Sequence, residues 1–188
     1  MTNNNPANRL GDKYLPDADV SSIESVIINA PPDIVFPLIQ NLKFRNSKVI
    51  YWLFKLRGMP VPETMSLQGL EKLDFVKLEE TPRRGLIVGI IGRFWTPSGG
   101  LIKFEPGEFS QFMNPDYAKG TWSFELFGKE QNKTLLTTET RVYCPTYKTK
   151  RNFKRYWTFI RPFSTLIRKE ILKSVKRDAE NAYHKSFV

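Results

Sequence analysis

The longest periodic pattern in this chain lies at its C-terminal end, and it limits what the rest can build. At about 100° per residue, Phe153, Trp157, Ile160, Ser164, Ile167, Ile171 and Val175 fall in one narrow stripe. Lys148, Arg151, Arg155, Lys169, Lys173, Lys176 and Arg177 gather on the opposite face. Pro162 interrupts the pattern. It has no amide to donate and its ring crowds the Thr158 carbonyl, so a kink is predicted there. A helix of about thirty residues, rising ~1.5 Å per residue, is the only element long enough to cover one face of a sheet.

The preceding sequence supplies that sheet. Residues 20–29 read as a strand, with Ile23, Val26, Ile27 and Ile28. Ala30-Pro31-Pro32-Asp33 then opens a short helix carrying Phe36. Proline is tolerated in a first turn, and Asp33 favours a helix start. Pro37 limits that helix. Residues 44–57, with Val49, Trp52, Leu53 and Leu56 at helical spacing, read as a second helix. Residues 64–73 read as a third.

From Asp74 the period changes to two. Strands are predicted over 75–81, 86–95, 101–105, 121–127 and 134–143, with 109–117 irregular. Gly89 and Gly92 lie within an almost wholly apolar strand and allow bending or close approach. Their spacing does not make a glycine-rich nucleotide loop. Short turns between successive strands make them antiparallel neighbours. The expectation is an α+β helix-grip architecture: a curved antiparallel sheet of six or seven strands wrapped around the C-terminal helix, with short helices after the first strand. Residues 1–19 form a polar N-terminal arm, mobile or loosely docked, and 20–188 one domain.

The net charge of +10 is unevenly placed. Residues 145–188 hold twelve Lys and Arg against three Asp and Glu, and the rest of the chain is nearly neutral. Three readings of the basic helix face stand: a solvated surface, docking to an anionic membrane, or, third, nucleic-acid binding. No stacking motif or helix-turn-helix pattern accompanies the last. A single Cys (Cys144) excludes an internal disulfide and a cysteine zinc cluster, and a single His (His184) excludes histidine-rich metal sites. No cofactor is called for. The longest apolar runs fall far short of the ~20 residues of a membrane span. The N-terminus has no signal-peptide core, so a cytoplasmic protein is expected.

A bent sheet and a straight helix do not stay in contact throughout, so a cavity is expected between them. Trp122, Phe124, Phe153, Trp157 and Ile160 would wall it, with Ile90 and Phe94 opposite and Phe36 and Trp52 closing one end. The competing reading is that these aromatics fill a core.

Three stretches carry a family resemblance. They are Glu24-Ser-Val-Ile-Ile-Asn-Ala-Pro-Pro32, Thr138-Glu139-Thr140-Arg141-Val142, and Tyr156-Trp157…Ile160-Arg161-Pro162…Ser164…Ile167-Arg168…Leu172. With the element order, they resemble a bacterial branch of the START-like, Bet v 1-like superfamily (SRPBCC, polyketide cyclase/lipid-transport-like) across residues 20–182. The resemblance implies a helix-grip fold with an internal cavity for apolar or amphipathic ligands. The superfamily spans lipid carriers, hormone receptors, plant defence proteins, cyclases and oxygenase subunits, and it has no shared catalytic motif. A binding module is therefore the leading expectation. The alternative is a cyclase- or hydrolase-type enzyme using Glu139, Arg141 and Tyr143, or Glu125. Alternation along the last strand places Leu136, Thr138, Thr140 and Val142 inward, and Glu139 and Arg141 outward as an ion pair. The other reading turns Glu139 and Arg141 inward to hold a polar ligand head-group, with Tyr143. Arg161 is a second head-group candidate, with Glu139 as its partner. Arg93 and Trp95 are candidates for the cavity mouth.

Overall fold

A computed structural model of the chain describes residues 9–42 and 74–186. The predicted helices at 44–57 and 64–73, and Trp52 with them, lie outside the described residues.

The described elements run α1 (Leu10–Tyr14), β1 (Val20–Ile28), α2 (Pro32–Gln40), β2 (Val76–Thr81), β3 (Gly85–Gly92), α3 (Glu108–Gln111), β4 (Ala118–Lys129), β5 (Lys133–Tyr143) and α4 (Tyr147–Lys185). The strands make one curved antiparallel sheet in the order β1-β5-β4-β3-β2. β2 to β5 form a meander, and β1 adds to its far edge beside β5, from Val20↔Val142 to Ile28↔Thr134. The sheet has five strands among the described residues, fewer than the expected six or seven. The predicted strand at 101–105 pairs only through an Ile91–Ile102 bridge. Pro106, which has no amide to donate, ends the segment before a ladder develops.

α4 starts on a capping box. The Thr146 hydroxyl accepts from the Thr149 amide, and the Thr149 hydroxyl accepts from the Thr146 amide. It continues through Pro162 to Lys185. α2 likewise continues one turn past Pro37, to Gln40. α4 lies against β1, β5 and α2.

Strand alternation divides the core. On the inner face, Ile28, Leu86, Val88, Phe124, Leu126 and Leu136 pack with Phe36 of α2 and with Ile171, Leu172, Val175 and Ala179 of α4. On the outer face, Ile91, Leu15 and Phe109 form a separate cluster beneath α1 and α3. A side chain at Gly89 would meet Phe109 at 2.9 Å, so glycine there lets α3 settle onto the sheet. From Leu10 to Leu15 the chain packs on the outer face of the sheet, where Arg141 donates to the Leu15 carbonyl at 2.9 Å.

Candidate functional site

The paired strands β1 and β5 show the organisation of the inner face row by row. Val26 pairs Leu136, Glu24 pairs Thr138, Ser22 pairs Thr140, and Val20 pairs Val142. Side chains two apart share a face, so two apolar rows flank two polar ones. The helix repeats the division. Phe153, Tyr156 and Trp157 join the cluster of Val20, Ala118, Val142 and Cys144. Ile167, Ile171 and Val175 join the cluster of Val26, Leu136, Trp122 and Phe124. Where α4 lies over β1 and β5, a polar belt two strands wide therefore separates two apolar bodies; on β4 and β3 the same rows continue as Phe124, Trp122, Leu86 and Val88.

Arg168 is the centre of that belt. It is among the largest fully buried side chains, at 1 % exposure. Its Nη1 donates to Thr140 Oγ1 at 2.9 Å, and its Nη2 donates to Ser22 Oγ at 2.6 Å and Thr165 Oγ1 at 3.3 Å. Its Nε is buried with no hydrogen-bond partner. Among the described residues no carboxylate comes within 4.0 Å of it. Burial pushes the guanidinium below its ordinary value. Glu24 opposes that shift from a distance, and Arg161 adds to it. A buried guanidinium held only by hydroxyls is a costly arrangement. The belt also takes the Trp122 indole N–H, which donates to Thr138 Oγ1 at 2.8 Å.

The expected wall residues separate into two groups. Phe94 meets Phe153 edge-on, with centroids 6.1 Å apart, and Phe153 stacks on Trp157 at 5.8 Å. Trp122 tilts over Phe124 at 5.0 Å, and Phe36 belongs to the same cluster. Ile90 pairs Gly120 on the inner face. Ile90, Phe94, Trp122, Trp157 and Ile160 are only partly buried, and Arg161 is exposed. Trp95 packs into the Phe153 cluster, whereas Arg93 leaves it, donating to the Tyr117 hydroxyl and lying 4.5 Å from that ring's centroid. Lys148, Arg151, Arg155, Lys169, Lys173 and Arg177 are exposed, and Lys176 is half-buried.

Arg141 is not an inner-face residue. It lies on the outer face with Glu139, as alternation along β5 requires, but under α1 rather than in solvent. Glu139 Oε1 accepts from Arg141 Nε at 2.6 Å and from Ser21 Oγ at 2.7 Å. Arg141 also pairs Asp12 of α1 at 2.5 Å. Glu125 accepts the Leu10 amide at 3.1 Å, and burial, then the neighbouring Glu139, push its carboxyl up. Tyr143 packs with the outer cluster. None of the carboxylates named for catalysis reaches the inner face, and Glu139 is not a partner for Arg161. The inner face carries Glu24 on β1 and, at the opposite edge, Glu80 on β2, which lies across from Leu86 and is held by Gln40 and Lys77.

Sequence reasoning passed over Arg168 by counting it with the basic residues. Its position held the signal: it is four residues after Ser164 and three before Ile171, on the apolar stripe itself. Among the described residues no cluster of three or more His, Cys, Asp or Glu is placed to hold a metal ion. No described helix is long and apolar enough to cross a membrane.

Among the solved structures similar to the chain are two examples. One is the crystal structure of CalU16 from Micromonospora echinospora, 12 % identical with a TM-score of 0.31, the match covering 88 % of this chain and 86 % of that one. The other is the Zhui aromatase/cyclase from Streptomyces sp. R1128, 12 % identical with a TM-score of 0.32, covering 84 % of this chain and 94 % of that one. No family model and no curated protein matches the sequence.

Proposed function

We propose that the chain is a binding module for an apolar or amphipathic small molecule, held between the inner face of the sheet and α4. One observation carries this reading: where α4 lies over β1 and β5, two apolar clusters are separated by a polar belt with a buried arginine. Packing alone favours a continuous apolar interface, because buried polar groups cost free energy unless fully paired. The half-buried state of Trp122, Trp157, Ile90 and Phe94 supports the same reading, since these side chains offer apolar surface for a ligand to cover. Covering it contributes ~25 cal/mol per Å² before ordering costs. Carriage or sequestration fits better than catalysis, because Glu125, Glu139 and Tyr143 face away from this interface.

Native mass spectrometry of the purified protein is the test. The expected result is a bound small molecule that is released on denaturation, or, from delipidated protein, saturable binding of an apolar fluorophore with energy transfer from tryptophan. Neither signal in well-folded protein overturns the reading.

A second reading, contact with an anionic membrane, is favoured by the outward side of α4. Residues 147–169 contain, besides the buried Arg168, seven Lys and Arg and no Asp or Glu. Phe159 is 74 % exposed and Tyr147 79 % exposed among them. Such a face gains ~1 kcal/mol per basic residue near anionic lipid. Sedimentation with phosphatidylserine vesicles, but not with neutral ones, and its loss at high salt are the expected results.

A further inference from the structure

We infer that the ligand of this interface is an anion: one carboxylate or phosphate-type head-group on an apolar body, with the head-group on Arg168 and the body against an adjoining apolar cluster. This rests on the small-molecule reading above and names the chemistry that the polar belt recognises.

Arg168 presents a fixed fork of five N–H donors, three of which donate to the neutral hydroxyls of Thr140, Ser22 and Thr165. The Nε donor has no partner. A guanidinium kept for structure alone is normally matched by a carboxylate, and here the acid that acts on it, Glu24, stays beyond ion-pair distance. Arg161, exposed two turns before Arg168 on α4, adds a second positive charge near it. An incoming anion would replace weak neutral contacts with charge-assisted ones, for which the fork geometry of arginine is suited.

Arg168 is sealed at 1 % exposure, so a head-group reaches it only when α4 moves from the sheet. Pro162, six residues earlier, supplies the weak point. It gives no amide to the Thr158 carbonyl, and the helix can bend there. Lys169 and Lys173 are exposed on the other side of the helix and are not part of the site.

The test compares a fluorescent C18 polyene carboxylic acid with its uncharged methyl ester, using delipidated full-length protein. The expected result is that the acid binds about tenfold more tightly than the ester, the scale of one charge-assisted contact. Arg168→Gln brings the two within about twofold by weakening only the acid. Lys169→Gln with Lys173→Gln leaves the ratio unchanged. Displacement by dodecyl phosphate or by dodecanoate, set against dodecanol, shows which head-group is preferred.

Equal binding of acid and ester by the wild-type protein overturns the anion inference and leaves the small-molecule reading standing. Binding of neither overturns that reading. A preference that survives Arg168→Gln but disappears in the surface variant also overturns the assignment. Should Arg168→Gln fail to fold, the wild-type ratio decides, together with its salt dependence. A buried pair is screened far less than a surface one, so a ratio that collapses at high salt counts against Arg168.

Discussion

Glu139 and Arg141, two residues apart on β5, form an ion pair at 2.6 Å on the side of the sheet away from α4, and α1 covers them both. The second Glu139 oxygen, 4.0 Å from Arg9, is buried without a hydrogen bond. Arg141 therefore joins a buried carboxylate, an α1 carboxylate and the Leu15 carbonyl. It fastens the N-terminal segment to the sheet.

Arg141→Met is expected to cost about 3–5 kcal/mol, because it leaves Glu139 charged and buried without its partner. Glu139→Gln combined with Arg141→Met should recover a large part of that loss. Urea denaturation of the single and double variants measures the coupling. Simple additivity would show that the two side chains act independently.

Gly11→Val is expected to lift α1 from the sheet. A side-chain carbon at Gly11 would lie 2.9 Å from Arg141 Cδ and Nε and 3.1 Å from Glu139 Oε2. Overpacking of this kind costs about 1–3 kcal/mol. Limited trypsin digestion should then cut after Lys13 well before the sheet opens, with strand circular dichroism preserved.

Glu125→Gln is expected to stabilise the protein at neutral pH. The folded-state pKa of Glu125 is raised by burial and then by Glu139. Its contribution to stability is therefore fully present below the unfolded glutamate value, ~4.3, and is lost as pH rises through the raised folded value. Glutamine removes that loss and still accepts the Leu10 amide. The gain in melting temperature should be visible near neutrality and should vanish as the pH falls below the ordinary glutamate range. A gain that persists undiminished in acid would contradict this account.

Cys144 reports on the inner cluster beside Phe153. Burial, then Asp19, pushes its thiol up to about 12. A thiol is reactive as the thiolate, so labelling by a maleimide or a disulfide reagent at neutral pH should be slow in the folded protein. It should become complete in denaturant. Fast labelling without denaturant would place Cys144 outside the packed interior.

The sequence spoke clearly where side chains repeat. Alternation along β5 assigned Thr138 and Thr140 to one face and Glu139 and Arg141 to the other, and the helical stripe from Phe153 to Val175 lies on the buried side of α4. It spoke poorly where position depends on distant partners. α1 has five residues, too few for a periodic signal, and its polar Asp12 is explained only by Arg141, which lies far along the chain. Arg168 was hidden by its residue type: on the buried stripe, charge argues for solvent until Ser22 and Thr140 are seen beside it.

The placement of β1 at the sheet edge also sets a timetable. Val20 pairs with Val142, so among the described residues β1 has no ladder partner until β5 has emerged from the ribosome. Pairings this distant in sequence are slow to close, because the loop entropy is lost before the contacts form. Until then β1 has Ile23 and Ile27 on one side and Ser22 and Glu24 on the other, with both edges open. Ser22 reaches Arg168 only after that late pairing and the docking of α4. The polar belt is therefore among the last parts of the molecule to be completed, and a nascent chain released early would lack it.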